Sequence, residues 1–108
     1  MFFKKNNESE KLLEMVRSGQ AAALDVRELS ERKQRDLDLP TRSHHLPLSQ
    51  MTEASFKKFL GSLGGKDKVV VYCAAGGRSK RVVNHFSALA KESGVELLNL
   101  PGGVARNA

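Results

Sequence analysis

The chain has 108 residues, one cysteine, no tryptophan and a formal net charge of +6. That length suits a single domain, residues 1–108, because a chain of this size buries about two-thirds of its unfolded surface in one core. One cysteine excludes an internal disulfide and a cysteine-based metal cluster. No apolar run approaches the roughly 18 residues of a membrane span, and the charged amino terminus argues against a secretory signal. We therefore expect a cytoplasmic protein that does not act at a membrane and needs no metal or cofactor.

The excess positive charge is concentrated in one quarter of the chain. Between Lys66 and Lys91 the sequence has six basic residues against Asp67 alone. Such a cluster either forms a solvated helix face or attracts a small anion. Nucleic acid is not an expected partner, because the basic residues are not interleaved with the aromatic residues on which bases stack.

The first part of the chain predicts a helix followed by a buried strand. Residues 8–18 place their apolar side chains at helical spacing, and Asn7 or Ser9 can cap the start of this helix. Residues 21–26, AAALDV, are typical of a short buried strand. Phe2–Phe3 is the only candidate for an additional edge strand before the helix.

The next part of the chain is polar and predicts mainly connections. The stretch after residue 26 is charged with scattered leucines, which indicates a short helix and a surface loop. Within it, residues 31–36 should form a solvated helix face with i, i+4 ion pairs. Residues 40–50 contain two prolines and should connect elements, with at most a short strand at 46–48.

The second half of the chain alternates strongly between helix and strand patterns. Residues 52–63 predict a helix capped by Thr52, and residues 68–73, KVVVYC, predict a strand buried on both faces. A second amphipathic helix should begin near residue 79 and a further strand should cover 95–100. This alternation favours an α/β fold with a mostly parallel sheet and helices on both of its faces.

Cys73 is the last residue of the clearest predicted strand. It should therefore lie at the carboxyl ends of the strands, where ligands of parallel sheets bind. The loop after it consists of small residues followed by a cation, namely Ala74, Ala75, Gly76, Gly77 and Arg78. Small residues let successive N–H groups curl inward into an anion nest, and the following helix, which Ser79 should cap, adds partial positive charge. These features favour a thiolate with a pKa of about 3.5–7.5. A lone cysteine is usually a buried apolar residue, but this combination indicates a nucleophile.

Three motifs, in their order and separation along the chain, resemble those of the rhodanese (sulfurtransferase) family. Residues 73–79, CAAGGRS, are similar to the family's C-x-x-G-x-R-S loop. Residues 24–28, LDVRE, and 100–103, LPGG, are similar to its strand-end and turn motifs. The resemblance covers about residues 10–104. It implies an α/β fold built as a three-layer α/β/α sandwich, with a central, mostly parallel sheet of about four to five strands.

The resemblance also implies a reaction and a partner class. Cys73 would take the outer sulfur of a small anionic donor such as thiosulfate and carry it as a persulfide. Backbone N–H groups of residues 74–79 would hold that sulfur, Arg78 would steer the donor, and Asp25 and Arg27 would support the site from the neighbouring strand end. Cyanide, a thiol or a protein sulfur acceptor would then remove the sulfur.

The sequence departs from the family in two places. Where the family has G-H-I-x-G-A, residues 41–47 read TRSHHLP, and only His45–Pro47 is similar. The usual carboxy-terminal helix should be absent or only a turn. His44 and His45 are adjacent but lack the third and fourth ligands that a metal site needs.

Two alternative functions use a related loop. A phosphatase or arsenate reductase relative would need C-x5-R, because a tetrahedral oxyanion requires a wider nest than one sulfur, and Cys73 and Arg78 give C-x4-R. A catalytically slow rhodanese-like binding or sulfur-carrier module would use the same loop with little turnover.

Overall fold

A computed structural model gives the fold of the chain and describes residues 7–108. The Phe2–Phe3 strand candidate lies outside these residues. Helices and strands alternate as follows: α1 Asn7–Arg17, β1 Ala22–Asp25, α2 Leu29–Gln34, β2 His44–His45, a 3-10 helix Leu48–Gln50, α3 Glu53–Leu60, β3 Lys68–Tyr72, α4 Gly77–Glu92, β4 Glu96–Asn99 and α5 Gly103–Asn107.

The four strands form one parallel sheet in the order β2-β1-β3-β4. Asp25, the last residue of β1, is aligned with Tyr72, the last residue of β3. The chain leaves β1 toward β2 on one side and reaches β3 on the other, so the strand order reverses between β1 and β3. Ligands of parallel sheets bind beyond the carboxyl ends of the strands at such a reversal. The fold therefore confirms the expected α/β architecture. It places Cys73 just beyond the carboxyl end of β3, where ligands of such sheets bind.

Strand β3 is buried on both faces from Val69 to Tyr72, which explains the apolar sequence of that stretch. Val69, Val71 and Cys73 pack in the core beneath α3 and α4. Val70 and Tyr72 point the other way, into a second core that α1 and the segment around α5 cover. Because alternate residues of a strand face opposite sides, two helical layers enclose the sheet.

Several predicted boundaries shift in the structure. Thr52 is confirmed as the cap of α3, because its Oγ1 accepts a hydrogen bond from the Ser55 N–H at 3.0 Å. The expected strand at 46–48 is wrong: the short strand is His44–His45, and a 3-10 helix occupies 48–50. Ser9 is not a cap, since it lies inside α1 and its hydroxyl donates to the Pro101 carbonyl at 3.2 Å.

The carboxyl end of the described chain is a helix of little more than one turn, close to the single turn expected. Helix α5 has five residues and follows Gly102, whose φ of +77° is the left-handed conformation that glycine tolerates. This helix directs its backbone N–H groups toward the segment after β3, so the end of the chain contributes to the region around Cys73.

Candidate active site

Cys73 lies one residue beyond β3 and only 1% of it is exposed. Its Sγ accepts hydrogen bonds from the N–H groups of Gly76 at 3.1 Å and Ser79 at 3.3 Å. The Ser79 hydroxyl is 3.3 Å from the same sulfur. Burial raises the pKa of the Cys73 thiol, but the hydrogen bonds from Ser79, Gly76 and Ala75 outweigh burial and lower the pKa overall. The loop therefore favours the thiolate, the nucleophilic form of cysteine.

Gly76 has a φ of +105° and is the residue that caps α4. This left-handed conformation, which glycine adopts without strain, turns the Gly76 N–H toward the sulfur. The expectation that Ser79 caps the helix is wrong, because α4 begins two residues earlier, at Gly77. Ser79 is instead buried in the first turn, with its hydroxyl directed at the reactive sulfur.

The Ser79 hydroxyl connects the Cys73 sulfur to Asn99, the last residue of β4. Besides its contact with Cys73 Sγ, this hydroxyl is placed to donate to the Gly76 carbonyl at 3.2 Å and to Oδ1 of Asn99 at 2.5 Å. One hydroxyl proton therefore has three acceptors to choose from. When Cys73 is a thiol, its proton can bond to Ser79 Oγ while Ser79 donates to Asn99; when Cys73 is a thiolate, the hydroxyl can turn to it. Sequence reasoning missed Asn99, although its place at the carboxyl end of β4 could have indicated it.

The LPGG turn, residues 100–103, and the residues after it hold the backbone at the start of the Cys73 loop. The N–H of Val104 donates to the Cys73 carbonyl at 3.0 Å, and the N–H of Ala105 donates to the Ala74 carbonyl at 2.8 Å. Gly103 has a φ of +54°, and a Cβ on it would stand 2.3 Å from the Cys73 carbonyl oxygen. Only glycine allows this close approach, so the turn motif fixes the backbone on which the reactive sulfur depends.

Arg78 is engaged by a carboxylate that the sequence analysis did not connect with it. Its Nη1 and Nη2 donate to Oε1 and Oε2 of Glu31 at 2.8 and 2.7 Å. This paired hydrogen bond lowers the pKa of Glu31 to about 2 and raises that of Arg78. The expectation of i, i+4 pairs for Glu31 is wrong, because its partner is 47 residues away.

Asp25 and Arg27 form a buried network at the end of β1. The Asp25 carboxylate accepts from Arg27 Nε at 3.0 Å, from Arg27 Nη2 at 2.9 Å and from Arg32 Nη1 at 3.2 Å. Arg27 also donates to the carbonyls of Glu31 and Arg35 in and after α2. Arg32 is only 7% exposed, so the solvated face expected for residues 31–36 is wrong at this position too. The network anchors α2, and α2 carries the carboxylate that binds Arg78.

A model of the rhodanese-like domain family matches residues 8–106. The chain belongs to the rhodanese-like domain family. No curated protein matches it in sequence. Among solved structures it is similar to an As-Sb reductase from Leishmania major, with 28% identity and a TM-score of 0.70 over 88% of this chain and 70% of that one.

Two further structures share the fold of this rhodanese-like domain. A rhodanese-like domain protein from Staphylococcus aureus is 21% identical with a TM-score of 0.63, over 93% of this chain and 87% of that one. A protein of unknown function from Rhodopseudomonas palustris CGA009, a possible tyrosine phosphatase, is 16% identical with a TM-score of 0.57, over 95% and 89%.

His44 and His45 make structural contacts in this rhodanese-like domain. The Nε2 of His45 lies 2.7 Å from the Arg27 carbonyl oxygen, and the ring of His44 meets Phe59 edge-on at 5.3 Å. Burial lowers the pKa of His44. In residues 7–108, no group of three or more His, Cys, Asp or Glu side chains could hold a metal ion. Nor does that part of the chain contain a helix long and apolar enough to cross a membrane.

Proposed function

We propose that this rhodanese-like protein is a sulfurtransferase that carries a sulfane sulfur on Cys73. The observation that supports this most directly is the environment of the buried Cys73 sulfur, which accepts hydrogen bonds from two backbone N–H groups and lies beside a buried hydroxyl. Oriented dipoles of this kind stabilise negative charge on sulfur at low cost in reorganisation. The same groups can stabilise a thiolate before transfer and a persulfide after it.

In the first half-reaction, the Cys73 thiolate attacks the outer sulfur of a sulfane donor, for which thiosulfate is the simplest example. The S–S bond of thiosulfate breaks, sulfite leaves with the electron pair, and Cys73–S–S⁻ remains. We assign the N–H groups of residues 74–79 to hold the terminal sulfur. The sequence has one cysteine, so the persulfide cannot close an internal disulfide and remains available to an outside acceptor.

In the second half-reaction, cyanide, a small thiol or a protein thiol attacks the terminal sulfur and the Cys73 thiolate leaves. This ping-pong cycle regenerates the enzyme without a cofactor. We assign Asp25 and Arg27 to support the site through α2 and Arg78 to hold an anionic donor. The role of Arg78 requires its guanidinium to be released from Glu31 or shared with it. A reducing compartment such as the cytoplasm suits a persulfide carrier with one free thiol.

Arsenate or antimonate reduction is a second candidate, favoured by the 28% identity to the As-Sb reductase. Loop length favours sulfur transfer instead. Four residues separate Cys73 from Arg78, and we expect a tetrahedral oxyanion to need a wider nest. A slow sulfur-carrier module would load sulfur on Cys73 but release it only slowly.

Intact-mass measurement after thiosulfate treatment tests the proposal. We expect wild-type protein to gain one sulfur atom, about 32 Da, and to lose it on addition of cyanide or a thiol. Cys73→Ala should gain nothing. An unmodified wild-type protein that reduces arsenate with a thiol reductant would overturn the proposal in favour of the second candidate, whereas loading without release would indicate a carrier.

A further inference from the structure

The guanidinium of Arg78, to which we assign the anionic donor, is already paired with a carboxylate. Both of its terminal nitrogens donate to Glu31, in the two-point geometry with which arginine binds carboxylates. Each of the two side chains is 32% exposed. The pair is therefore partly open to solvent rather than part of the core.

Glu31 is held in place by contacts other than the one with Arg78. Its Oε1 also accepts the N–H of Glu28 at 3.1 Å, as part of the capping box of α2. Its backbone carbonyl accepts Arg27 Nη1 at 3.3 Å. A donor that displaced Glu31 from Arg78 would therefore also disturb the first turn of α2.

The charged side chains at the end of β1 and at Arg78 are each paired with an opposite charge, despite the +6 charge of the chain. Arg78 is matched by Glu31, and the Glu28 carboxylate, bound to Ser49 Oγ at 2.8 Å, is close enough to help raise the pKa of Arg78. Arg27 is paired with Asp25 and Asp36. Attraction for an anion is left mainly to the backbone N–H groups, which carry only partial charge.

We propose that Glu31 is a specificity-determining residue, which lowers the efficiency of dianionic sulfur donors by occupying Arg78 and adding negative charge at the site. This inference rests on the proposed function. Thiosulfate has two negative charges, whereas a thiosulfonate, R–SO₂–S⁻, has one and delivers the same outer sulfur. In that case Cys73–S⁻ and R–SO₂–S⁻ give Cys73–S–S⁻ and the sulfinate R–SO₂⁻, so atoms and charge balance.

The test compares thiosulfate with methanethiosulfonate as donors to wild type and Glu31→Gln. Glutamine keeps an oxygen for the Glu28 N–H and for Arg78 but removes the negative charge. We expect the ratio of kcat/KM for thiosulfate to kcat/KM for methanethiosulfonate to rise about tenfold, equivalent to about 1.4 kcal/mol. The matched control is Glu53→Gln, which also removes a first-turn glutamate paired with a basic residue, Lys57, and should change the ratio less than twofold.

Two further measurements separate charge from folding. Glu31→Ala frees the guanidinium completely and should move the ratio in the same direction, with thermal melting by circular dichroism reporting the folded fraction. In a Cys73→Ser background, where no sulfur can transfer, Glu31→Gln should tighten thiosulfate binding measured by calorimetry. Tighter binding there supports the inference independently of turnover.

An unchanged donor ratio in both Glu31 variants, or an equal change for both donors, would overturn this inference and make Glu31 a purely structural residue. The proposed function would survive that result, since Cys73 would still load sulfur. Failure of both donors to load Cys73 in wild type and variants would instead overturn the proposed function, and the inference with it.

Discussion

The ends of β1 and β3 lie side by side and bury polar atoms in two different ways. At the end of β1, Asp25 and Arg27, at 0% and 2% exposure, neutralise each other as full charges. At the end of β3, the Cys73 sulfur is bonded by backbone N–H groups and approached by a hydroxyl. Paired charges form a rigid anchor, whereas oriented dipoles can stabilise negative charge on one sulfur or on two in succession.

Helix α2 connects the two regions. Arg27 binds the carbonyl of Glu31, and the side chain of Glu31 binds Arg78. Changes at the end of β1 should therefore act mainly on stability, and changes at the end of β3 mainly on the chemistry of the thiol. Each of the following predictions tests that distinction.

The largest effect on stability should come from Asp25→Ala. It leaves Arg27 and Arg32 buried without their shared carboxylate, and removing one partner of a buried ion pair costs about 3–5 kcal/mol. Urea unfolding measures the loss. Glu53→Ala, which breaks an exposed pair with Lys57, is the control and should cost less than about 1 kcal/mol. Similar losses in the two variants would contradict the idea of an anchor at β1.

Gly103→Ala should affect both stability and the thiol. Its Cβ would collide with the Cys73 carbonyl, and its φ of +54° strains any other residue, so we expect a loss of about 2–4 kcal/mol. The folded fraction should also alkylate more slowly, because the loop must shift. Gly61→Ala is the control, since its Cβ would meet backbone atoms only at 3.5 Å or more. An equal effect of the two substitutions on unfolding would refute the role assigned to the LPGG turn.

The contrast between the two regions also shows what the sequence could predict. Residues 73–79 form a contiguous motif after an apolar strand, so the position of Cys73 and the parallel sheet were predictable from local pattern. The pair of Glu31 and Arg78 joins residues 47 positions apart, and its formation depends on how α2 lies over the sheet edge. Arg32 is buried within a charged run that reads as solvated. Local periodicity carries no signal for either contact.

A moderate effect is expected for Ser79→Ala, which removes the hydroxyl beside the sulfur but keeps the backbone N–H. Because that hydroxyl helps to lower the pKa of Cys73, the pKa of Cys73 in the variant should rise toward that of a free thiol. The rate of iodoacetamide alkylation against pH measures the shift. Ser87→Ala, on an exposed part of α4, is the control. A midpoint that does not move would mean that the hydroxyl stays with Asn99 and that the amides alone stabilise the thiolate.

The smallest effect is the part of the pH dependence of stability that Cys73 contributes. The pKa of Cys73 is lower in the folded chain than the value of about 8.5 expected after unfolding, so the folded state holds fewer protons between these two values. The free energy of unfolding of wild type relative to Cys73→Ala should therefore rise with pH across that interval, stay constant above about pH 8.5 and be lost as pH falls through the folded pKa. Subtracting the variant removes contributions from other titrating groups. Ser79→Ala should raise the folded-state pKa of Cys73 and so narrow this pH interval from its lower end. If the difference in free energy of unfolding fell with rising pH instead, burial rather than the backbone N–H groups would control the pKa of Cys73.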